Sequence, residues 1–368
     1  MITPPLGIYV HFPWCVKKCP YCDFNSHPLK GELPTTDYLN ALQADLDQWS
    51  SLLERRPIHS VFFGGGTPSL FPPHVFADLL SSLGCPSVEV TMEVNPGTAE
   101  FHSFPAYREA GINRLSFGAQ SFNDEKLASL GRIHCADEIR SAFALARRAG
   151  FDNVNLDIMY GLPNQSVSEA LDDLEAALAL QPEHLSWYEL TLEPKTEFHR
   201  RPPPLPREKT MLEIEFEGQA MLRGAGFERY EVSAWARTGF QCRHNLNYWQ
   251  YGDYLGIGAG AHGKVTDEDD IVRTRKAAQP RLYLDRPQHL ESTGVAPAMR
   301  RGEFLLNVLR LPEGVPWPAF EEGTGLTSEH ALQPAWREWV EKGMLREDRI
   351  ATTALGYRYI DTVLQSFL

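Results

Sequence analysis

The strongest constraint on the fold of this 368-residue chain is an alternation. Six β-rich runs, each followed by a helical stretch, succeed one another in its first 224 residues. "GIYVHF" leads through a cysteine-rich loop to "DYLNALQADLDQWSSLLE". "HSVFFGGG" precedes "HVFADLLSSL", and "VEVTMEVNP" precedes "FPAYREAG". "NRLSFGAQS", "NVNLDIMYGLP" and "HLSWYELTLEP" open the last three units. In "EALDDLEAALAL" apolar residues recur every three to four positions, as a helix with one buried face requires. The strands read as near-continuous apolar runs, the pattern of a parallel sheet covered on its outer face. Consecutive βα units imply right-handed crossovers and a parallel sheet that curls into a full or partial barrel.

Nearly every predicted strand ends in a polar or Gly-rich signature: Cys15/Cys19/Cys22, Gly64 to Thr67, Glu93 and Asn95, Gln120 and Ser121, Asp157, and Glu189 to Thr191. Barrels of this type carry their chemistry at the C-terminal ends of the strands, so these residues are the candidate site. The barrel is expected over residues 1–230. An aromatic- and Gly-rich segment follows over 231–280, then a C-terminal lobe over 281–368 that reads helix, strand, turn, strand, helix. That order is α+β and winged-helix-like. In a chain of net charge −13 it reads as a packing lobe.

The same charge argues against wide contact with nucleic acid, which needs Lys and Arg to displace counterions. Two basic stretches, "RRPPPLPREK" (200–209) and "RTRK" (273–276), read as solvated loops. No apolar run is long enough to span a bilayer, and "MITPPLGIYVHFP" has no basic start before an apolar core. The expected compartment is the cytoplasm, where thiols stay reduced and clustered cysteines mean metal or redox chemistry.

Three of the six cysteines fall in "WCVKKCPYCDF" (14–24), spaced C-x3-C-x2-C. Three thiolates suit zinc, Cu(I) or an Fe–S cluster. Structural zinc prefers four protein ligands, and neither His11 nor His27 sits at a finger spacing. A cubane usually takes four cysteines, so three leave one iron open to a small molecule. Phe12, Trp14, Tyr21 and Phe24 supply an apolar lining around such a centre. Cys85 and Cys135 read as small buried thiols.

C-x3-C-x2-C after a first strand resembles the signature of the radical S-adenosylmethionine (SAM) superfamily. The resemblance implies a [4Fe–4S] cluster on Cys15, Cys19 and Cys22, with SAM chelating the unique iron through its amino and carboxylate groups. It makes the run Gly64, Gly65, Gly66, with Thr67 beside it, the motif that meets those groups, its N–H groups facing the anion. It assigns Glu93 and Asp157 to the polar parts of SAM, and Gln120 and Arg132 to its ribose or carboxylate. Tyr9, Tyr21 and Phe24 are placed near the cofactor. "GAGAHG" (258–263) fits a dinucleotide-binding pattern but is followed by "KVTDEDD" rather than a helix, so it reads as tight backbone near the barrel mouth.

The set "IYVHFPWCVKKCPYCDFNSH", "GGGTPS", "EVNPG", "GAQSF", "LGRIH", "DIMYGLP" and "RHNLNYW" resembles the coproporphyrinogen-dehydrogenase-like group and, within it, the HemW-type heme chaperones. The dehydrogenases carry a further cysteine two residues after the third, where this chain has Phe24. "HNLNYW" (244–249) is similar to the chaperones' heme motif. His244 would be an axial imidazole, Tyr248 and Trp249 stacking faces and Asn245 a neighbour, with Cys242 a rival ligand. The resemblance implies a protein that carries a [4Fe–4S] cluster, SAM and heme. It would hand heme to acceptor heme proteins, among them membrane-bound respiratory complexes, through a peripheral contact; a cluster-dependent homodimer is also implied. The alternative is an oxygen-independent coproporphyrinogen III dehydrogenase, an enzyme that decarboxylates propionates oxidatively.

Overall fold

Among the described residues, twelve strands join in one sheet. The computed structural model describes residues 1–84, 87–97 and 102–368, so Cys85 lies outside the described residues. Six strands stand where the alternation places them. They are β1 (Leu6–Phe12), β2 (Ile58–Gly65), β3 (Glu89–Val94), β4 (Arg114–Gln120), β5 (Val154–Tyr160) and β6 (His184–Glu189). Each pairs in parallel with the next, as a partial α/β barrel requires.

The strands alternate more strictly than the expected near-continuous apolar runs. Ile8, Val10 and Phe12, then Val61 and Phe63, then Leu115 and Phe117 form one fully buried apolar register. Helices cover this register. Pro73–Leu83 buries Val75, Phe76 and Leu79, and Ala136–Arg148 buries Ile139, Ala142, Phe143 and Ala146. The opposite register is polar: Ser60, Thr91, Glu93, Ser116, Asn155, Asp157 and Ser186. Neighbouring strands satisfy it, with Asn155 Nδ2 donating to Ser116 Oγ at 2.8 Å and Ser186 Oγ to Asn155 Oδ1 at 3.2 Å. Pleating sends alternate side chains to opposite faces, so an apolar shell and a polar lumen arise from the same six segments.

The segment 231–280 is not set apart from this sheet. β7 (Glu228–Arg229) and β8 (Ala234–Ala236) extend the β6 edge antiparallel. The chain then crosses to the other edge, where β9 (Asp253–Ile257) pairs in parallel with β1. β10 (His262–Asp267), β11 (Asp270–Arg275) and β12 (Glu291–Gly294) continue antiparallel beyond it. Between the two edges lies the helix Arg243–Trp249.

The C-terminal lobe has its own core, in which Phe304, Leu305, Val308, Phe320, Trp336 and Val363 are buried together with Tyr251 and Ile271 from the preceding segment. The expected strand–turn–strand is a pair of isolated antiparallel bridges, Leu345 to Thr352 and Val315 to Ile350, too short to form the strands of a wing.

Asp253 ties the added edge to the barrel. Its buried carboxylate takes Arg56 Nη1 and Lys264 Nζ, both at 2.8 Å, and the Thr266 N–H and hydroxyl at 2.7 and 2.8 Å. Removing one partner of a buried ion pair leaves uncompensated charge. Asp253→Ala is therefore expected to lose about 3–5 kcal/mol of stability, read as a lower urea midpoint. An unchanged midpoint would contradict this role.

Candidate cofactor site

The C-terminal ends of the barrel strands surround a chamber of about 360 Å³. Cys15, Cys19 and Cys22 line it from one side, and Gly65, Gly66, Thr67, Glu93, Gln120, Arg132 and Asp157 from the barrel. Tyr21 and Phe24 also face it. Twelve of the fourteen residues that the sequence assigns to cluster and SAM thus meet around one space; the other two are Gly64 and Tyr9.

The loop is held over the chamber by backbone pairing. Gly66 N–H donates to Phe12 O, and Thr67 N–H to Trp14 O, both at 2.7 Å. A Cβ on Gly66 would lie 2.5 Å from Trp14 O, and one on Gly65, at φ +117°, would lie 2.5 Å from the His11 ring. These glycines let β2 run against the cysteine loop, and no other residue fits there. Gly65 N–H donates to Glu93 Oε2 at 2.9 Å. The N–H groups of Gly65, Gly66 and Thr67 are therefore engaged within the protein, a correction to the expectation that this run offers them to an anionic ligand.

Tyr9 sits deeper. Its hydroxyl bonds His11 Nδ1 at 2.9 Å, and its ring stacks on Phe62. It forms part of the lumen wall below the chamber. Arg132 spans the mouth, donating from Nη2 to Asn95 Oδ1 at 2.8 Å and to Gly118 O at 2.9 Å. Its Nη1 lies 3.6 Å from Cys19 Sγ. Asn95 in turn donates to Thr67 Oγ1 at 2.9 Å. Gln120 has a left-handed φ of 72° and accepts the Tyr188 hydroxyl at 2.9 Å. A non-glycine residue in that region is uncommon and here turns the amide into the chamber wall. Tyr188, Ser116 and Ser186 line the chamber too; the signal for them is an even spacing along the strand, Ser116 with Gln120 on β4 and Ser186 with Tyr188 on β6.

The chamber is electrically unusual. Burial and, after it, the nearby Asp157 raise the Glu93 carboxyl to about 8, against the Gly65 N–H, which lowers it. Burial also raises Asp157, against the hydrogen bonds of Ser186 and Asn155. Two buried carboxyls side by side suit a cationic ligand, whose charge would favour their ionised forms.

The lumen floor holds the helix Arg243–Trp249. His244 is 1 % exposed, with Nδ1 3.0 Å from Ser60 Oγ and its ring stacked on Phe62. Its N–H and the Cys242 thiol both donate to Glu89 Oε1, at 3.2 and 3.5 Å. Ser60 and Glu89 lie at the N-terminal ends of their strands, opposite the cysteines. Both sequence candidates for heme ligation, His244 and Cys242, are thus enclosed by the floor, with no open face for a macrocycle in this conformation. Asn245 reaches the chamber from below. Tyr248 keeps its ring edge-on to His244, with centroids 4.7 Å apart, and with Trp249 lines a separate pocket of about 190 Å³ alongside Tyr254, Lys264 and Arg273. The four motif residues do not line one common space: His244 and Tyr248 share a face of the helix, while Asn245 and Trp249 leave it in other directions.

The residues fit the implied cofactors. The three thiols are free and face one chamber, and a guanidinium beside Cys19 suits a thiolate. Among the described residues no three acidic, His or Cys side chains converge on a point where a single ion could sit. A cubane takes one thiolate per iron, which three cysteines on one loop can supply. Cys15, Cys19 and Cys22 would hold the cluster, and Glu93, Asp157, Gln120 and Arg132 would orient SAM. Bound there, the pair supplies one-electron chemistry at a sulfonium.

Two outcomes test this geometry. The folded Glu93 value lies above its unfolded 4.5, so the stability from keeping it neutral is present at low pH and lost as pH rises through about 8. The thermal midpoint of the cofactor-free protein should fall over that range, and Glu93→Gln should remove this part of the slope. Arg132→Lys cannot reproduce the fork to Asn95 and Gly118, and calorimetry should show SAM binding weakened by about tenfold or more. Equal affinity would exclude Arg132 from positioning the cofactor.

Comparison with known proteins agrees with this reading. Residues 9–177 match the model of the radical SAM superfamily. The chain is 46% identical to the heme chaperone HemW of Haemophilus influenzae and 46% identical to that of Escherichia coli. Each match covers 99% of this chain and 98% of the relative. The solved coproporphyrinogen III oxidase (HemN) of Escherichia coli superposes with a TM-score of 0.82 over 99% of this chain and 90% of that one. At 23% identity it shows a shared fold. From the three-cysteine loop to the last helix of its C-terminal lobe, the chain belongs to the radical SAM superfamily and, within it, to the HemW family.

Proposed function

We propose that the protein is a heme chaperone: it binds heme beside its cluster and SAM site and passes it to acceptor heme proteins. The observation that carries this reading is the 46% identity to proteins named heme chaperone HemW over nearly the whole of both chains. Two features of the site support it. Position 24, where the dehydrogenases have a cysteine, holds a phenylalanine that is 60 % exposed at the chamber mouth. The chamber, about 360 Å³, is near the lower end of ligand-pocket sizes and suits one SAM-sized molecule rather than SAM with a tetrapyrrole.

The acceptors we propose are membrane-bound respiratory heme proteins, met from the cytoplasmic side. Among the described residues no helix is long and apolar enough to cross a membrane, so contact with the bilayer would run through the acceptor. A homodimer that forms when the cluster is present belongs to the same proposal.

The test is a paired assay on one cluster-reconstituted sample. Hemin-loaded protein is mixed with an apo heme protein and the Soret band is followed. Separately, coproporphyrinogen III is supplied anaerobically with reductant and SAM. Heme transfer without protoporphyrinogen formation is expected. Robust coproporphyrinogen turnover would instead make the protein a dehydrogenase.

A further inference from the structure

On the side of the cysteine loop away from the chamber lies a larger, outer cleft of about 760 Å³. Cys19, Cys22 and Phe24 line both spaces, so the loop is the wall between them. The lining is mostly polar, with Phe24 as its one large apolar side chain. Two segments remote in sequence close the cleft, and each is fastened to the loop. From the Pro-rich crossover, Phe198 N–H donates to Pro20 O at 3.0 Å. On the side of the β10–β11 hairpin, Asn25 Nδ2 donates to Ala259 O and Ala278 O, both at 2.9 Å.

These segments carry cations. "RRPPPLPREK" brings Arg200, and "RTRK" brings Arg275 and Lys276. Lys18 and Lys195 join them, against the two acids Asp23 and Glu197. Lys276 is buried and paired with Asp45 at 2.6 Å. Lys18 Nζ donates to the carbonyls of Phe24 and Ser26, at 2.9 and 3.1 Å, and braces the turn that presents Phe24. Arg200 donates from Nε to Thr196 O at 3.3 Å, which leaves its terminal nitrogens to solvent. Arg275 meets Glu291 at 3.6 Å with both side chains more than half exposed, a pair worth little. Lys195 is exposed. His262 stands directly opposite Arg275 in the ladder. Burial, Arg275 and Arg273 hold its pKa below the usual value, so it adds no charge at neutral pH.

We propose that the outer cleft is the docking surface for a small acidic one-electron carrier protein, which reduces the cluster across the cysteine loop. This goes beyond the heme-chaperone reading and does not depend on it; it rests on the cluster held by Cys15, Cys19 and Cys22. The cluster and SAM consume one electron at the sulfonium, and a donor must bring it. In the step itself the carrier gives up one electron and the cluster takes it; no bond forms or breaks and no proton moves. Electron transfer weakens steeply with distance, so the donor must approach where the wall is thin, and here the wall is the ligand loop itself. A chain of net charge −13 repels an acidic partner over most of its surface, while a local excess of cations draws it to one place. Redox encounters use small interfaces with an apolar centre and a charged rim. Phe24, 60 % exposed, with Arg200, Arg275 and Lys195 around it, has that form.

The experiment uses the full-length, cluster-reconstituted protein and an acidic flavodoxin as the carrier. Reduced flavodoxin is mixed with it anaerobically, and bleaching of the cluster's visible absorbance is followed by stopped flow at several salt concentrations. Binding of oxidised flavodoxin is measured separately by calorimetry. Wild type is compared with Arg200→Glu/Arg275→Glu, with Phe24→Ser, and with Lys342→Glu in the C-terminal lobe as a charge control. The double variant should lower the bimolecular rate about tenfold or more, weaken binding in parallel and flatten the salt dependence. Phe24→Ser should weaken binding while keeping the salt dependence. Lys342→Glu should behave as wild type. Circular dichroism and iron content check that each variant folds and holds its cluster, and a mediated potential titration checks that the cluster's midpoint is unchanged. Wild-type rate and binding in the double variant overturn the assignment. So does an equal loss in Lys342→Glu, a wild-type rate that is indifferent to salt, or a midpoint shift that accounts for the slower reduction.

Discussion

The site depends on two backbone hydrogen bonds, Gly66 N–H to Phe12 O and Thr67 N–H to Trp14 O. They prolong the β1–β2 pairing past the ends of both strands, into the segment that carries Cys15. A side chain on Gly66 would collide with the Trp14 carbonyl, so the bonds require the glycine. From this clamp the cysteine loop leaves in one direction only, and its three thiols face the residues at the ends of β2 to β5. Hydrogen bonds from Gly65 to Glu93, from Asn95 to Thr67 and from Arg132 to Asn95 then link loop, glycine run and barrel into one framework. Ligand geometry is set here by main-chain pairing, which is stiffer than any arrangement of long side chains.

Below the chamber the lumen is filled with hydrogen-bonded polar groups rather than with the branched aliphatic layers common in closed barrels. Asp157 accepts from Asn155, whose carbonyl takes the His184 Nδ1–H at 2.6 Å. His184 Nε2 accepts from the Tyr230 hydroxyl at 2.7 Å, and that oxygen accepts the Cys242 N–H at 3.2 Å. Burial holds His184 well below its usual pKa, consistent with the neutral tautomer this chain needs. The network joins the cofactor chamber to the start of the floor helix. It explains why a helix rich in recognisable chemistry is buried: its N-terminal groups complete hydrogen bonds that the strand ends would otherwise leave open.

The outer cleft shows the opposite economy. Its residues come from the cysteine loop, the Pro-rich crossover and the β10–β11 hairpin, segments far apart in sequence. Lys276 is paired with Asp45 and Lys18 with two carbonyls, whereas Arg200 and Arg275 make only weak contacts within the protein. The molecule therefore separates a chamber with stiff main-chain walls, suited to a resident cofactor, from a cationic cleft on the other side of the cysteine loop.

Local pattern was enough to read the six barrel strands, the helices over them and the residues at the strand ends, because alternation and helical period are written in neighbouring positions. It was also enough for Cys15, Cys19 and Cys22, since their spacing within one loop is itself the ligand geometry. Tertiary structure decided the rest. β9 pairs with β1 across almost 250 residues, and no local signal announces a pairing of that separation. The same crossing buried His244, sent Tyr248 and Trp249 elsewhere, and brought Arg200, His262 and Arg275 to one cleft. A sequence states which groups a chain owns; which of them face solvent, and which face each other, depends on long-range packing that only the folded chain resolves.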